Sequence, residues 1–395
     1  MTLDPALVDT LNLVLRWAHV IAAIAWIGSS FFFVWLDDSL EPAPDKGPHV
    51  QGRLWMTHSG GFYDVVKFKV TMPVLPDHLH WFRWEAAWTG ITGIFLLVVV
   101  FYLGADGLLV PADSALSRPE AAAVGLGGLA LSWLIYDFIW RRKIVERHGL
   151  AFSWLSLAAL SVPAWAFMQV FTARAAFLHT GAMMGLIMVL NVWVIIIPGQ
   201  RRMIEALKKG EAPDAAFGKR AKIRSMHNSY VTLGVVAIML SGHSPLVTGH
   251  RQAWAVLIVL LTLGAAIRHV FIVRHTRKPS RALVSAIAIT SVALFFWLRP
   301  PAMDAGSEPV SFGEVRGIII THCVGCHATH PTFVGLSAPP KNVVLETPTQ
   351  VRQNAAKIMA QVVHTRMMPL GNMTKMTEEE RQRIGRWIAQ GANIP

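Results

Sequence analysis

Apolar residues run along the first three quarters of the chain in long blocks, not at the alternating or helical spacings of a water-soluble fold. Eight blocks stand out, at about 11–36, 86–104, 121–140, 152–171, 175–197, 229–245, 253–273 and 282–298. Each is near the roughly 17–25 residues that a helix needs to cross a hydrocarbon core of about 30 Å. The pattern predicts an all-α polytopic membrane bundle of about eight transmembrane helices over residues 1–298, with one long loop at 37–85. No Lys or Arg precedes Arg16, so the first block lacks the positive region of a cleaved signal peptide. The third block is rich in Gly and Ala, which suits close helix packing. Gly242-His243-Ser244-Pro245 interrupts the end of the sixth.

After Leu298 the blocks stop. Residues 299–310, with three prolines and no spanning run, read as a linker. Residues 311–395 carry no spanning run and are expected to form a small separate domain. Ser311 with Glu314, and Thr377 with Glu380, have the spacing of capping boxes that open helices. The second helix carries an apolar stripe of Ile384, Trp387 and Ile388. A further helix is expected over 351–364.

Composition agrees with lipid: 53% of residues are hydrophobic and 15% charged, against about 25% charged in soluble domains. The net charge of +12 would suit a nucleic-acid binder if it were spread over a folded face among aromatics. Instead Arg141–His148, Arg201–Arg224 and Arg274–Arg281 hold all of it, between the apolar blocks. No nucleic acid is expected as a partner; the anionic surface implied is that of membrane lipids. These stretches follow the third, fifth and seventh blocks, so an eight-helix count puts all three on one face. The positive-inside rule makes that face cytoplasmic. The 37–85 loop then lies inside, and everything after Pro300 lies outside, periplasmic if the membrane is a bacterial inner membrane.

The only two cysteines occur in Cys323-Val324-Gly325-Cys326-His327. C-x-x-C-H is the attachment spacing of a c-type haem: two thiols add to the porphyrin vinyls, and the next His ligates iron. A thioether is the usual second axial ligand of an electron carrier because it raises the potential. Met368, followed by Pro369, is the expected ligand, with Met367, Met373 and Met376 close enough to compete. A redox dithiol and a zinc site completed by His322, His330 or His364 are the other readings of the motif.

A tethered cytochrome does not need seven further spans, so the bundle has its own task. Ionisable residues within spans are functional candidates by default. The topology places His19, His179 and His243 in the leaflet nearest the C-terminal domain, where a pair could ligate a b-type haem. The plainer reading is three histidines satisfied by neighbouring helices. His227 and the Arg268-His269 pair fall toward the cytoplasmic side and read as structural or loop-anchoring. The 37–85 segment contains Trp55, His58-Ser59-Gly60-Gly61-Phe62-Tyr63, Lys67, Lys69 and Leu79–Glu85. Such aromatics and cations suit a flat anionic heterocycle; composition alone favours the plainer reading, an interfacial segment anchored by Trp81 and Trp84.

The order of these parts resembles one family. RWAHVIAAIAWIGSSFFFVWLDD, then WMTHSGGFYDVVKFKV, then LHWFRWEAAWTGITG, then a C-terminal CVGCH domain look like the bacterial membrane-bound, cytochrome c-linked urate oxidases, or urate hydroxylases. The resemblance covers essentially the whole chain. It implies oxidation of urate to 5-hydroxyisourate, with water supplying the oxygen. Electrons would pass to the fused haem, then to a soluble cytochrome or terminal oxidase. On this resemblance His58 is the candidate proton acceptor, Lys67 and Arg83 the anion-holding groups, and Tyr63 or Trp55 a ring platform. Two other functions stay open: a quinol- or metal-linked oxidoreductase with b- and c-type haems, and a transporter with a regulatory cytochrome domain. One tension is already visible, because this topology puts residues 55–85 about a bilayer thickness from the haem.

Overall fold

The computed structural model describes residues 4–70, 75–104, 107–142, 145, 148–274, 279–333 and 336–395. The chain is mostly helical. Among the described residues, eight long helices occupy the first three quarters: α1 (Pro5–Asp38), α2 (Trp84–Leu97, extended by a π-helical turn Val98–Tyr102), α3 (Arg118–Trp140), α4 (Gly149–Val170), α5 (Ala173–Lys208, with a π-helical stretch Asn191–Ile196), α6 (Ala215–Ser241), α7 (Ala253–Val273) and α8 (Arg281–Trp297). Among the described residues, six of them are long and apolar enough to cross a membrane: α1 to α5 and α7. Helix α8 is apolar but 17 residues long. The polar first half of α6, with Lys219, Arg220, Lys222, Arg224 and Asn228, keeps it outside that group. Large apolar side chains such as Leu13, Ile24, Phe138, Val162 and Ile289 remain exposed around the bundle. A surface of that extent is costly in water and natural in lipid.

The sixth helix corrects an expected boundary. It runs from Ala215 to Ser241, not 229–245, and stops where Gly242 closes its C-terminus. Likewise Arg201–Lys208 continues α5. The basic stretch Arg201–Arg224 is therefore mostly helical, and the connector proper is about 209–214. Arg224 is not a loop residue at all; it is buried inside the bundle.

The core of the bundle is aromatic and aliphatic, centred on Phe101, Phe167, Phe177, Met183, Ile238 and Leu257. Helices α6 and α7 cross at a glycine pair. A Cβ on Gly264 would stand 2.5 Å from the Gly234 amide nitrogen, so only glycine permits this backbone approach.

The all-α expectation needs a second correction. The 37–85 segment contains a two-stranded antiparallel hairpin, β1 (Val50–His58) and β2 (Gly61–Phe68), with His58 paired to Gly61 and Met56 to Tyr63. Ser59 and Gly60 both have positive φ, the geometry of a tight two-residue hairpin turn. A backbone bridge between Glu41 and Arg53 ties β1 to the end of α1.

Residues 312–394 hold a separate apolar cluster around Phe312, Val315, Ile319, Ile358, Ile384 and Trp387. Its helices are α9 (Phe312–Ile319, continued by a π-turn Ile320–Val324), α10 (Pro348–Gln353), α11 (Ala355–Ile358, continued by Met359–His364) and α12 (Glu378–Ala389). Both expected capping boxes form, at Ser311/Glu314 and Thr377/Glu380, and Thr347/Gln350 adds a third. This segment is seated on one end of the bundle. The Ala112 amide donates to the Gly371 carbonyl at 2.9 Å. A Cβ on Gly107 would meet the Leu370 carbonyl and the Met373 sulfur at 3.0 Å, and one on Gly249 would meet the Thr365 carbonyl at 2.5 Å. The connections α2–α3 and α6–α7 thus form the seat. The hairpin, which follows α1 and precedes α2, lies at the opposite end.

Candidate functional site

Cys323, Cys326 and His327 sit where α9 ends. The amides of Cys326 and His327 both donate to the Cys323 carbonyl, at 3.1 and 2.9 Å, so one helical turn carries all three side chains. Both cysteines are free thiols, Cys323 buried and Cys326 half-buried. Burial pushes the Cys323 thiol up to about 12 and raises that of Cys326 as well. Before any covalent attachment both are therefore neutral thiols. The Nδ1 of His327 lies 2.9 Å from the Val343 carbonyl. A carbonyl can only accept, so Nδ1 carries the proton and Nε2 keeps its lone pair for a ligand.

Met368 packs against the same apolar cluster. Its carbonyl accepts from Arg381 at 2.6 Å, and Arg381 also donates to the Val362 carbonyl at 2.7 Å and to Asn372 at 3.1 Å. A buried guanidinium thereby pins the loop that presents Met368. Sequence reasoning missed Arg381; the available signal was a cation on the apolar side of α12, three residues before Ile384. Of the competing methionines, Met376 is buried in the cluster and Met373 lies against Gly107 of the bundle. Both ring nitrogens of His322 are engaged, with Thr374 at 2.8 Å and Glu380 at 3.2 Å. Among the described residues no three His, Cys, Asp or Glu side chains converge on a common point.

The hairpin candidates are spread out. His58 is exposed beside the turn. Tyr63 follows on the same face, across from Met56, and Lys67 further along is paired with Asp37 of α1 at 2.6 Å. Trp55 is on the other face, under the guanidinium of Arg53 at 4.7 Å, and Arg53 pairs with Asp64. That guanidinium holds the Asp64 carboxyl below the usual carboxylate range. Arg83 stacks over Trp81 and Trp84 at the start of α2. Among the described residues no hydrogen bond, ion pair or ring contact joins any two of His58, Tyr63, Lys67 and Arg83.

The three bundle histidines occupy different surroundings. His19 was expected in the leaflet nearest the C-terminal segment, but α1 begins at Pro5 and the ring lies about 20 Å along it, against Thr89 and Thr92 in the hairpin-side half of α2. Its Nδ1 is 3.1 Å from the Thr89 carbonyl and from the Thr92 hydroxyl of α2. His179 is fully buried among Phe101, Phe167 and Phe171. Its Nδ1 donates to the Ala175 carbonyl at 2.8 Å, and its Nε2 accepts from the Tyr102 hydroxyl at 3.0 Å. Gly125 makes room for this pair, since a Cβ there would stand 2.6 Å from the Tyr102 oxygen. His243 is exposed just past the end of α6.

A polar network crosses the hairpin-side half of the bundle. Arg224 pairs with Asp137 at 2.8 Å and donates to Asn191 at 3.1 Å; Asn191 in turn donates to Tyr136 at 3.2 Å and to Asn228 at 3.0 Å. The Tyr136 hydroxyl reaches Nδ1 of His227 at 2.8 Å. Asn191 opens the π-helical stretch of α5, a local widening that turns its amide into the network.

Comparison with known proteins bears on the bundle alone. Residues 5–299 match the family described as Urate oxidase N-terminal, and the C-terminal segment lies beyond the matched region. No curated protein and no solved structure matches the chain. The match spans all eight long helices and the hairpin, about three quarters of the sequence, and the chain belongs to the urate oxidase N-terminal family.

Proposed function

We propose that this chain is a membrane-embedded oxidoreductase that converts urate to 5-hydroxyisourate and discharges the electrons through a covalent haem c. One juxtaposition carries the reading: a bundle of the urate oxidase N-terminal family has, seated on its end in the same chain, two free thiols one helical turn apart and an imidazole with a free Nε2. Those residues fit a covalent porphyrin. Cys323 and Cys326 would form the thioethers, His327 would ligate iron through Nε2, and Met368 would supply a second ligand. When bound, such a group accepts and passes on one electron at a time.

The balance is urate plus water giving 5-hydroxyisourate, two protons and two electrons. Loss of a ring proton makes urate easier to oxidise, and water adds at C5 of the oxidised ring. His58 remains the proposed proton acceptor on the hairpin, with Lys67 and Arg83 holding the anion and Tyr63 or Trp55 backing the ring. His327 is held by Val343, and the Met368 loop by Arg381, so both side chains would be presented to such a group in fixed positions. The basic connectors support a cytoplasmic hairpin end and a periplasmic C-terminal segment in a bacterial inner membrane. A soluble cytochrome or a terminal oxidase would then take the electrons.

The hairpin end is about 30 Å from the C-terminal segment, too far for direct tunnelling at a catalytic rate. Substrate bound there requires an intermediate carrier in the bundle. His19 fits one ligand of a b-type haem, because its engaged Nδ1 leaves Nε2 available. His179 fits less well, with both nitrogens already hydrogen-bonded. Pyridine haemochrome spectra of the purified chain would reveal this second haem.

Turnover of urate in heavy-isotope water tests the reaction itself. The reading expects solvent oxygen in the product and no stoichiometric peroxide. Label from dioxygen, with peroxide formed, would overturn it.

A further inference from the structure

A cavity of ≈ 350 Å³ opens between α1 and α7 at the hairpin end of the bundle, walled by Phe31, Phe32, Trp35, Asp38, Phe271 and Arg274, with Arg268 in its lining. Arg268 is 4% exposed, and its guanidinium carbon lies 3.6 Å from the centre of the Phe31 ring. Its Nε donates to the Ser229 hydroxyl of α6 at 2.9 Å, while its NH2 nitrogen is buried without a partner.

The unpaired terminal nitrogen separates Arg268 from Arg224 and Arg381, the two other arginines that are fully buried among the described residues. Arg224 spends both terminal nitrogens on Asp137 and Asn191, and Arg381 spends its own on two carbonyls and Asn372. A purely structural arginine is satisfied in this way, because an unpaired buried donor is costly. Arg268 instead keeps a charged donor unpaired and buried behind the aromatic wall of a cavity the size of a small ligand site.

We propose that this cavity, rather than Lys67 and Arg83, which are engaged with Asp37 and with Trp81 and Trp84, holds the planar heterocyclic anion on which the chain acts. The guanidinium face stacked on Phe31 fixes a flat donor edge that an anionic ring can meet in its own plane. Phe32, Trp35 and Phe271 offer surfaces for the ring. Asp38 supplies an acceptor for a ring N–H, a feature a phosphodiester head group lacks. The proposal rests on the urate reading for the identity of the anion, but the cavity chemistry stands apart from the redox step. It gives Arg268 a binding role where sequence spacing alone suggested a structural one.

Equilibrium dialysis of the detergent-solubilised full-length chain against labelled urate, and separately against xanthine, tests this. Expected is a loss of affinity of about ten- to a hundred-fold in Arg268→Gln, with Arg268→Lys in between. Unchanged melting and haem content would show that the variants fold. Urate binding equal to wild type in folded Arg268→Gln overturns the site, even if the wild-type chain oxidises urate. Competition of the bound probe by anionic phospholipid vesicles, with xanthine failing to compete, also overturns it in favour of a lipid site. If the wild-type chain binds both purines through Arg268 yet oxidises neither, the site stands and the urate-oxidising reading falls.

Discussion

Met368 and Arg381 define the residue scale of the proposed haem pocket. A thioether ligand raises an iron potential relative to harder, more electron-donating ligands. Met368→Ala is therefore expected to lower the midpoint potential and slow turnover while the haem stays covalently attached; a redox titration with a denaturing haem-stain gel reads both. An unchanged potential would reassign the ligand. Cys323→Ser with Cys326→Ser should abolish the haem stain altogether. These residues were legible in the sequence because C-x-x-C-H and a downstream Met-Pro are chemistry written in local spacing. Arg381 and Arg268 were not, since each is distinguished by burial and by partners far along the chain: Val362 for one, Phe31 and Ser229 for the other.

The elements show where periodicity succeeds and where it fails. Helices α1 to α5, α7 and α8 fall close to the apolar blocks, because a span in lipid needs a long uninterrupted run and little else. Helix α6 does not, because its first half is polar and is stabilised by the buried network around Arg224. Removing one partner of a buried ion pair leaves the other uncompensated, at about 3–5 kcal/mol. Asp137→Ala should destabilise the bundle by that order, as a lowered melting temperature in detergent. The β1–β2 hairpin lies outside the apolar blocks, although Ser59-Gly60 between runs rich in aromatic and β-branched residues is a hairpin signature; the same aromatics and cations fit a ligand surface equally well in sequence. In the C-terminal segment the caps predict a pH response. Hydrogen bonds from the Ser311 and Thr377 amides hold the Glu314 and Glu380 carboxyls below their ordinary 4.5. A depressed carboxylate stabilises the fold above its unfolded value, and the benefit fades as pH falls through the folded value. Thermal scans should show this segment weakening below about pH 4.5, less steeply in Glu380→Gln.

At the scale of the whole molecule, the C-terminal segment meets the bundle through glycines. Gly107 and Gly371 both have positive φ, and a Cβ on Gly371 would stand 2.8 Å from the Gly107 Cα. Gly107→Leu should push the Leu370–Met373 loop off its seat. Haem potential would stay near wild type while urate-driven haem reduction slows by about ten- to a hundred-fold, the cost of a misplacement near 1 Å. Charge reached this scale from the sequence: three basic stretches assigned one face, and the structure puts the C-terminal segment at the other end. The docking itself was not legible, because it rests on backbone contacts between loops far apart in the chain. The central claim is that oxidation of urate by the bundle delivers electrons to Cys323–His327. Anaerobic mixing of urate with the oxidised, purified chain in a stopped-flow spectrometer tests it most directly. The account predicts growth of the reduced haem c α-band, with two haems reduced for each urate consumed. A haem that stays oxidised with urate, yet is fully reduced by dithionite, would contradict it.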